Sequence, residues 1–164
     1  MILNQIRVTA QLDQLINKLS SYSIIKLMLG ALMTDIAITI VFSLVLFPQH
    51  TAGPNFKADI EGFFFTVLIA PLLETLFFQV WIIKTVLKYV SSNKLLAISV
   101  SSILFGIAHS YSIAYVLKAT LAGLIYSILY FSISNKKRDP IFYIFITHGT
   151  FNLIGFILTY FDKS

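Results

Sequence analysis

The 164-residue sequence contains no cysteine, and only 12% of its residues carry a charged side chain. The absence of cysteine excludes disulfide bonds, thiolate metal ligands and a cysteine nucleophile. Soluble domains contain about 25% charged residues, so the shortage of charge excludes an ordinary soluble protein. Hydrophobic residues make up 57% of the chain, a proportion that is typical of a polytopic membrane protein.

Five apolar stretches predict an all-α fold, a polytopic bundle of about five transmembrane helices. They comprise residues 24–47, 60–83, 95–109, 113–133 and 141–161. About 20 apolar residues span a bilayer, so four stretches are long enough and the third is short. The third helix either continues through residues 110–115 or ends inside the membrane at Ser110. Pro48, Gly53 and Pro54 mark the first loop.

Residues 1–23 are predicted to form an N-terminal amphipathic helix, and residues 24–164 a single transmembrane domain. Leu12, Leu15, Ile16 and Leu19 follow helical spacing, with polar residues between them. A helix of this kind lies in the interface between membrane and water. A disordered tail is the alternative, because helix signals of this length are ambiguous.

Basic residues are concentrated in the segments that connect alternate stretches. Nine lie on one predicted side of the membrane: Arg7, Lys18, Lys26, Lys84, Lys88, Lys94, Lys136, Lys137 and Arg138. Lys57 and Lys163 lie on the other side. Because basic loops stay in the cytoplasm, we expect a cytoplasmic N-terminus and an external C-terminus. This orientation explains the net charge of +5 without a nucleic-acid partner.

Four polar side chains interrupt the apolar stretches, namely Glu74, His109, His148 and Asn152. Ionisable groups in the membrane interior cost a few kcal/mol each and usually face one another or a water-filled cavity. His148 and Asn152 share a helix face as residues i and i+4. A rise of about 1.5 Å per residue places all four groups at similar depths in the cytoplasmic half of the membrane. We therefore predict a polar pocket that can activate water, although each histidine alone could be a hydrogen-bonded core residue.

Three short motifs follow one another on separate predicted helices: Glu74-Thr75-x3-Gln79, Phe105-x3-His109 and His148-x3-Asn152. The ordered set resembles the CAAX-protease and bacteriocin-processing family of intramembrane glutamic endopeptidases, over about residues 64–156. The resemblance implies that Glu74 is the general base that activates water, with assistance from His109. It also implies that His148 and Asn152 stabilise the oxyanion, and that the reaction needs no cofactor.

The first motif departs from the family pattern at two positions. The family has a second glutamate where this chain has Thr75, and an arginine where it has Gln79. These positions are i and i+4 on one helix face, so we infer that the two charges form a pair in the family and are lost together here. A neutral threonine–glutamine pair leaves no unpaired charge in the membrane. The departure therefore does not by itself remove the base Glu74.

Asp35 and Lys118 are two further charges inside predicted spans. We predict that they form a structural ion pair across the bundle. In one alternative, Lys118 extends its side chain to the membrane surface, because it lies only about five residues into its span. In another, Asp35 belongs to a proton or ion pathway.

The predicted function is hydrolysis of a peptide bond of a membrane-anchored or lipidated peptide or protein, near the cytoplasmic face of a bacterial cell membrane. The expected partners are membrane lipid and this substrate, and the sequence makes no prediction of the oligomeric state.

Three alternatives stay open at this stage. A zinc peptidase could use Glu74, His109 and His148 as ligands, although the His-Glu-x2-His signature is missing. A weak or inactive family member could serve as a peptide-binding, immunity or accessory subunit, a pseudoenzyme. A haem protein could use His109 and His148 as axial ligands.

Overall fold

The computed structural model describes residues 2–48 and 59–162. Four residues that were used to predict the first loop and the orientation in the membrane lie outside the described residues: Gly53, Pro54, Lys57 and Lys163. The described residues are helical and contain no strand, which confirms the all-α bundle. Its helices are α1 (Ile2–Ser20), α2 (Ile24–Leu46), α3 (Ile60–Tyr89), α4 (Lys94–Ala108), α5 (Ile113–Ser134) and α6 (Ile141–Asp162).

Four of these helices, α2, α3, α5 and α6, are long and apolar enough to cross a membrane. Helix α4 has 15 residues, or about 22 Å of rise, which is shorter than the roughly 30 Å hydrocarbon core. It ends at Ala108, because the chain turns there: the Tyr111 amide donates to the His109 carbonyl oxygen (2.8 Å). Ser112 then caps α5 by accepting from the Tyr115 amide (3.1 Å). The third predicted span therefore does not continue through residues 110–115.

Helix α1 packs on the bundle against α4 and α5. Ile16 is fully buried, and the Ser20 hydroxyl donates to the carbonyl oxygen of Ser132 (3.0 Å). Lys94 Nζ forms an ion pair with Asp13 Oδ1 (2.9 Å). These contacts join helix α1 to the bundle, and its position at the interface between membrane and water stays a prediction.

Wide turns with π-type hydrogen bonding occur in α3 on both sides of Glu74, at Phe64–Ile69 and Thr75–Ile82. In the first of them, the carbonyl of Thr66 would bond to the amide five residues later, but that residue is Pro71, which has no N–H. The Thr66 carbonyl oxygen instead accepts a hydrogen bond from Asn152 Nδ2 (2.8 Å). The proline therefore leaves the Thr66 carbonyl oxygen free to accept the hydrogen bond that joins α6 to α3.

Glycines let neighbouring helices approach closely at three places. A Cβ on Gly149 would lie 2.9 Å from the Val67 carbonyl oxygen, so α6 rests on α3 there. A Cβ on Gly106 would overlap the Thr120 hydroxyl, and one on Gly123 would lie 3.1 Å from Ser102 Cα. Small residues at such interfaces let helix backbones come together in membranes. The tight α4–α5 hairpin fixes the end of α4, which carries His109.

Candidate functional site

Glu74 lies near the middle of α3, and its carboxylate faces both histidines. His109 Nε2 is 3.6 Å from Glu74 Oε1, and His148 Nε2 is 3.6 Å from Glu74 Oε2. Both distances exceed that of a direct hydrogen bond, so the three groups surround a small shared space. The structure thus brings together three of the four side chains that the sequence placed in one pocket.

The proton of neutral His109 can be assigned from its surroundings. His109 Nδ1 lies 2.7 Å from the carbonyl oxygen of Phe105, and a carbonyl oxygen can only accept, so Nδ1 carries the proton. Nε2 is then an acceptor in the neutral ring, and it faces the Glu74 carboxylate, which also only accepts hydrogen bonds when it is ionised. A water molecule, which has two O–H donors, can satisfy both acceptors at once.

Aromatic side chains hold His148 in place. Its ring is 6% exposed and stacks on Tyr126, with 4.9 Å between ring centroids. Phe105 contacts both imidazoles, with centroid separations of 4.5 Å to His109 and 5.9 Å to His148. Phe105, which the second motif singled out, therefore packs between the two histidines. Tyr126 was not predicted to take part, since a tyrosine in an apolar helix usually only packs.

Asn152 lies one turn beyond His148 on α6. One of its two amide N–H groups is used in the bond to the Thr66 carbonyl oxygen, and the other is available to a ligand. His148 and Asn152 both line the cavity that contains Glu74. Both side chains therefore border the space that a ligand would occupy.

The cavity has a volume of about 530 Å³, within the range of small-molecule and peptide sites. From Glu74 it extends past Asn152 to Phe47, Tyr111 and Thr159, which belong to the helix ends opposite the basic loops. The sequence predicted a pocket in the cytoplasmic half. The described lining extends from Glu74 toward the helix ends remote from the basic loops, and the orientation of those ends in the membrane stays a prediction. Helix spacing gave the depth of each residue and not the direction in which the space extends.

Thr75 and Gln79 are both 1% exposed, but they do not form the predicted pair. Gln79 Oε1 accepts hydrogen bonds from Ser101 (3.0 Å) and Ser127 (2.8 Å). Among the described residues, Thr75 Oγ1 and Gln79 Nε2 have no hydrogen-bond partner. The glutamine therefore belongs to a neutral network with α4 and α5. The sequence analysis missed Ser101 and Ser127, whose only signal is a hydroxyl within an apolar run.

Asp35 and Lys118 do not form the predicted ion pair. Asp35 is 1% exposed, and its Oδ2 accepts a hydrogen bond from the Tyr126 hydroxyl (2.6 Å). In the described part of the chain, no salt bridge joins Asp35 to Lys118. Helical side chains point back toward the N-terminus of their helix, and Lys118 Nζ accordingly lies over the Tyr115 ring, 4.3 Å from its centroid.

The alternative zinc site would use Glu74, His109 and His148. Within residues 2–48 and 59–162, no group of three or more histidine or carboxylate side chains has the geometry of a metal site. Chelation during an activity measurement remains the direct test of this alternative.

Comparison with known proteins gives one match. The sequence model of the family described as Rce1-like, type II CAAX prenyl endopeptidase Rce1-like, matches residues 56–154, which is more than half of the chain. The matched segment includes Glu74, His109, His148 and Asn152. No curated protein and no solved structure matches the chain.

Proposed function

The chain belongs to the Rce1-like family of type II CAAX prenyl endopeptidases, and we propose that it hydrolyses a peptide bond of a membrane-anchored or lipidated peptide or protein. The four apolar helices of spanning length fit a multi-pass membrane protein. One observation carries the proposal: the carboxylate of Glu74 lies between the Nε2 atoms of His109 and His148. A bacterial cell membrane and a cytoplasmic N-terminus are part of the proposal.

In the proposed reaction, a water molecule bound between Glu74 and His109 supplies the nucleophile. Glu74 takes one proton from this water as the oxygen forms a bond to the carbonyl carbon of the substrate. His109 Nε2 accepts the second hydrogen bond of the water and orients it. When the C–N bond breaks, the departing amine takes the proton that Glu74 holds. No metal takes part in these steps.

His148 and Asn152 are proposed to stabilise the oxyanion of the tetrahedral intermediate. Asn152 keeps one N–H free after bonding to the Thr66 carbonyl oxygen. A proton on Nε2 of His148 would point into the space beside Glu74. Donors fixed in advance stabilise developing negative charge most strongly where water is excluded. Tyr126 and Phe105 supply that fixing by packing on the His148 ring.

The proposal is tested by cleavage of a prenylated peptide that carries a CAAX sequence, by purified protein in liposomes with a chelator present. Glu74→Gln should lower kcat at least about 100-fold, the usual contribution of a general base. Glu61→Gln is the matched control, since Glu61 lies on the same helix and is exposed. Full activity of Glu74→Gln would contradict the mechanism, and loss of activity with chelator would favour the zinc alternative. Absence of cleavage by folded wild-type protein would favour the peptide-binding or accessory role.

A further inference from the structure

A second space in the bundle, which we call the apolar groove, lies between α1, α2 and α5. It has a volume of about 580 Å³, and apolar side chains such as Leu19, Leu27 and Leu129 form most of its wall. None of its described lining residues also lines the cavity around Glu74. The apolar groove is therefore separate from the candidate site, and the proposed reaction gives it no role.

The apolar groove extends along the helix axes from the end of the bundle that carries the basic loops. Lys26 and Thr34 mark its limits on α2, eight residues or about 12 Å of rise apart. Ile125 and Ser132 mark its limits on α5, which runs in the opposite direction. One leaflet of the hydrocarbon core is about 15 Å thick, so the groove covers most of the depth of one leaflet.

The middle of the apolar groove is open at Gly30. A Cβ on this residue would meet no neighbouring heavy atom within 4 Å, whereas Leu27 and Ala31 beside it are buried. Side chains that border an empty space lose dispersion contacts, and in a membrane the surrounding hydrocarbon chains can supply them. Water is a poor substitute in such a wall, because a buried water molecule needs two to four polar partners. We therefore expect a hydrocarbon chain in the groove.

The described wall of the apolar groove contains one charged residue, Lys26. Lys26 is exposed, and no described carboxylate lies within salt-bridge distance of it. Helices α1, α2 and α5 contain two carboxylates: Asp13 pairs with Lys94, and the buried Asp35 accepts from Tyr126. An anion that faces Lys26 therefore comes from outside these three helices, and anionic lipid headgroups attract lysines at the membrane surface.

We propose that the apolar groove binds one acyl chain of an anionic phospholipid, whose headgroup contacts Lys26. The ammonium attracts the phosphate, and the groove holds the chain along α2 and α5. A lipid bound in this way contacts α1, α2 and α5 at once, so it should stabilise their packing. The occupant is a lipid of the membrane rather than the lipid group of a substrate, because the groove and the Glu74 cavity share no described lining residue. For the same reason, the proposal does not depend on the proposed function.

The test measures binding of phosphatidylglycerol, and of phosphatidylcholine with the same acyl chains, to the purified protein in detergent by native mass spectrometry. The wild type should bind one phosphatidylglycerol about five-fold more tightly than phosphatidylcholine, the effect of one lysine near an anionic headgroup. Phosphatidylglycerol at ten times its Kd should raise Tm by about 3–5 °C. Lys26→Gln should remove the preference. Lys84→Gln, which removes another exposed cation at the same end of the bundle, should retain it.

Gly30→Leu tests the part of the site that holds the acyl chain. Its side chain would occupy the groove, so the affinity for both lipids should fall at least about 10-fold as the chain loses its contacts. Without lipid, the Tm of this variant should equal or exceed that of the wild type, because leucine favours a helix more than glycine does. Gly155→Leu is the matched control: a Cβ on Gly155 also has no neighbouring heavy atom within 4 Å, but this residue lines the Glu74 cavity.

Equal affinities of the wild type for the two lipids, or an unchanged preference in Lys26→Gln, would overturn the proposal. Unchanged lipid binding by Gly30→Leu would overturn it as well. Loss of binding in Gly155→Leu alone would place the lipid in the Glu74 cavity, which contradicts the proposal. A dimer that Gly30→Leu dissociates would assign the groove to a second copy of the chain, with the same consequence.

Discussion

Arginine at position 79 should be tolerated only if a carboxylate is introduced with it. Gln79 and Thr75 are both 1% exposed, and the hydrogen-bond partners of Gln79 are the neutral hydroxyls of Ser101 and Ser127. Gln79→Arg alone would bury a guanidinium beside these hydroxyls without a carboxylate. An unpaired buried charge costs about 3–5 kcal/mol. For a chain of this length, that cost corresponds to a fall in Tm of about 10 °C.

The assay is thermal unfolding of the purified protein in detergent, followed by the helical circular dichroism signal. Thr75→Glu alone should also lower Tm, because it buries an unpaired carboxylate. Thr75→Glu combined with Gln79→Arg should recover most of the loss, since residues i and i+4 share a helix face and can pair. Equal Tm values for Gln79→Arg and the double variant would refute the reasoning. Ser127→Ala, which removes the neutral hydrogen bonds of Ser127 to Gln79 and Ser101, should cost only about 1–2 kcal/mol.

Three further predictions concern the support of the site. Tyr126→Phe removes the hydrogen bond to the buried carboxylate of Asp35 but keeps the ring that stacks on His148. The free energy of unfolding should therefore fall by about 1.5–3 kcal/mol, while kcat changes little. A large fall in kcat would contradict this separation of stability from catalysis. Gly149→Ala should displace α6 from the Val67 carbonyl oxygen and lower kcat, as the peptide assay would show, whereas an unchanged kcat would mean that the helices adjust freely. Asn152→Ala should lower kcat about 100-fold with a smaller change in KM, and a pure KM effect would contradict an oxyanion role.

The sequence was sufficient to predict the helices and the proximity of the central carboxylate to the two histidines. Apolar stretches indicate the helices, and polar groups inside a membrane, such as Glu74 and His148, are stable only when they contact one another or water. The partner of each remaining polar group was harder to predict, because these helices are apolar on most faces and hydrophobic periodicity does not fix their rotation. Asp35 therefore bonds to Tyr126 rather than to Lys118, and Gln79 to serines of two other helices.

The bond between Asn152 and Thr66 depends on information that periodicity does not contain. Pro71 lacks an amide hydrogen, and this removes the donor that the Thr66 carbonyl would otherwise use in a wide turn. The sequence shows the proline, but hydrophobic periodicity does not distinguish α-type from π-type hydrogen bonding in α3. Gly149 also brings α6 against α3 in this region, at the Val67 carbonyl oxygen.

The direction in which the cavity extends determines from which side of the membrane water and substrate reach Glu74, and to which side the product leaves. Hydrolysis consumes a water molecule and releases a polar fragment, and we expect both to move through the cavity, which runs from Glu74 to Phe47 and Thr159. In the orientation that the basic loops predict, this space leads away from the cytoplasm. In sealed vesicles of that orientation, a membrane-impermeant peptide would then be cleaved from the external face and would survive when enclosed within.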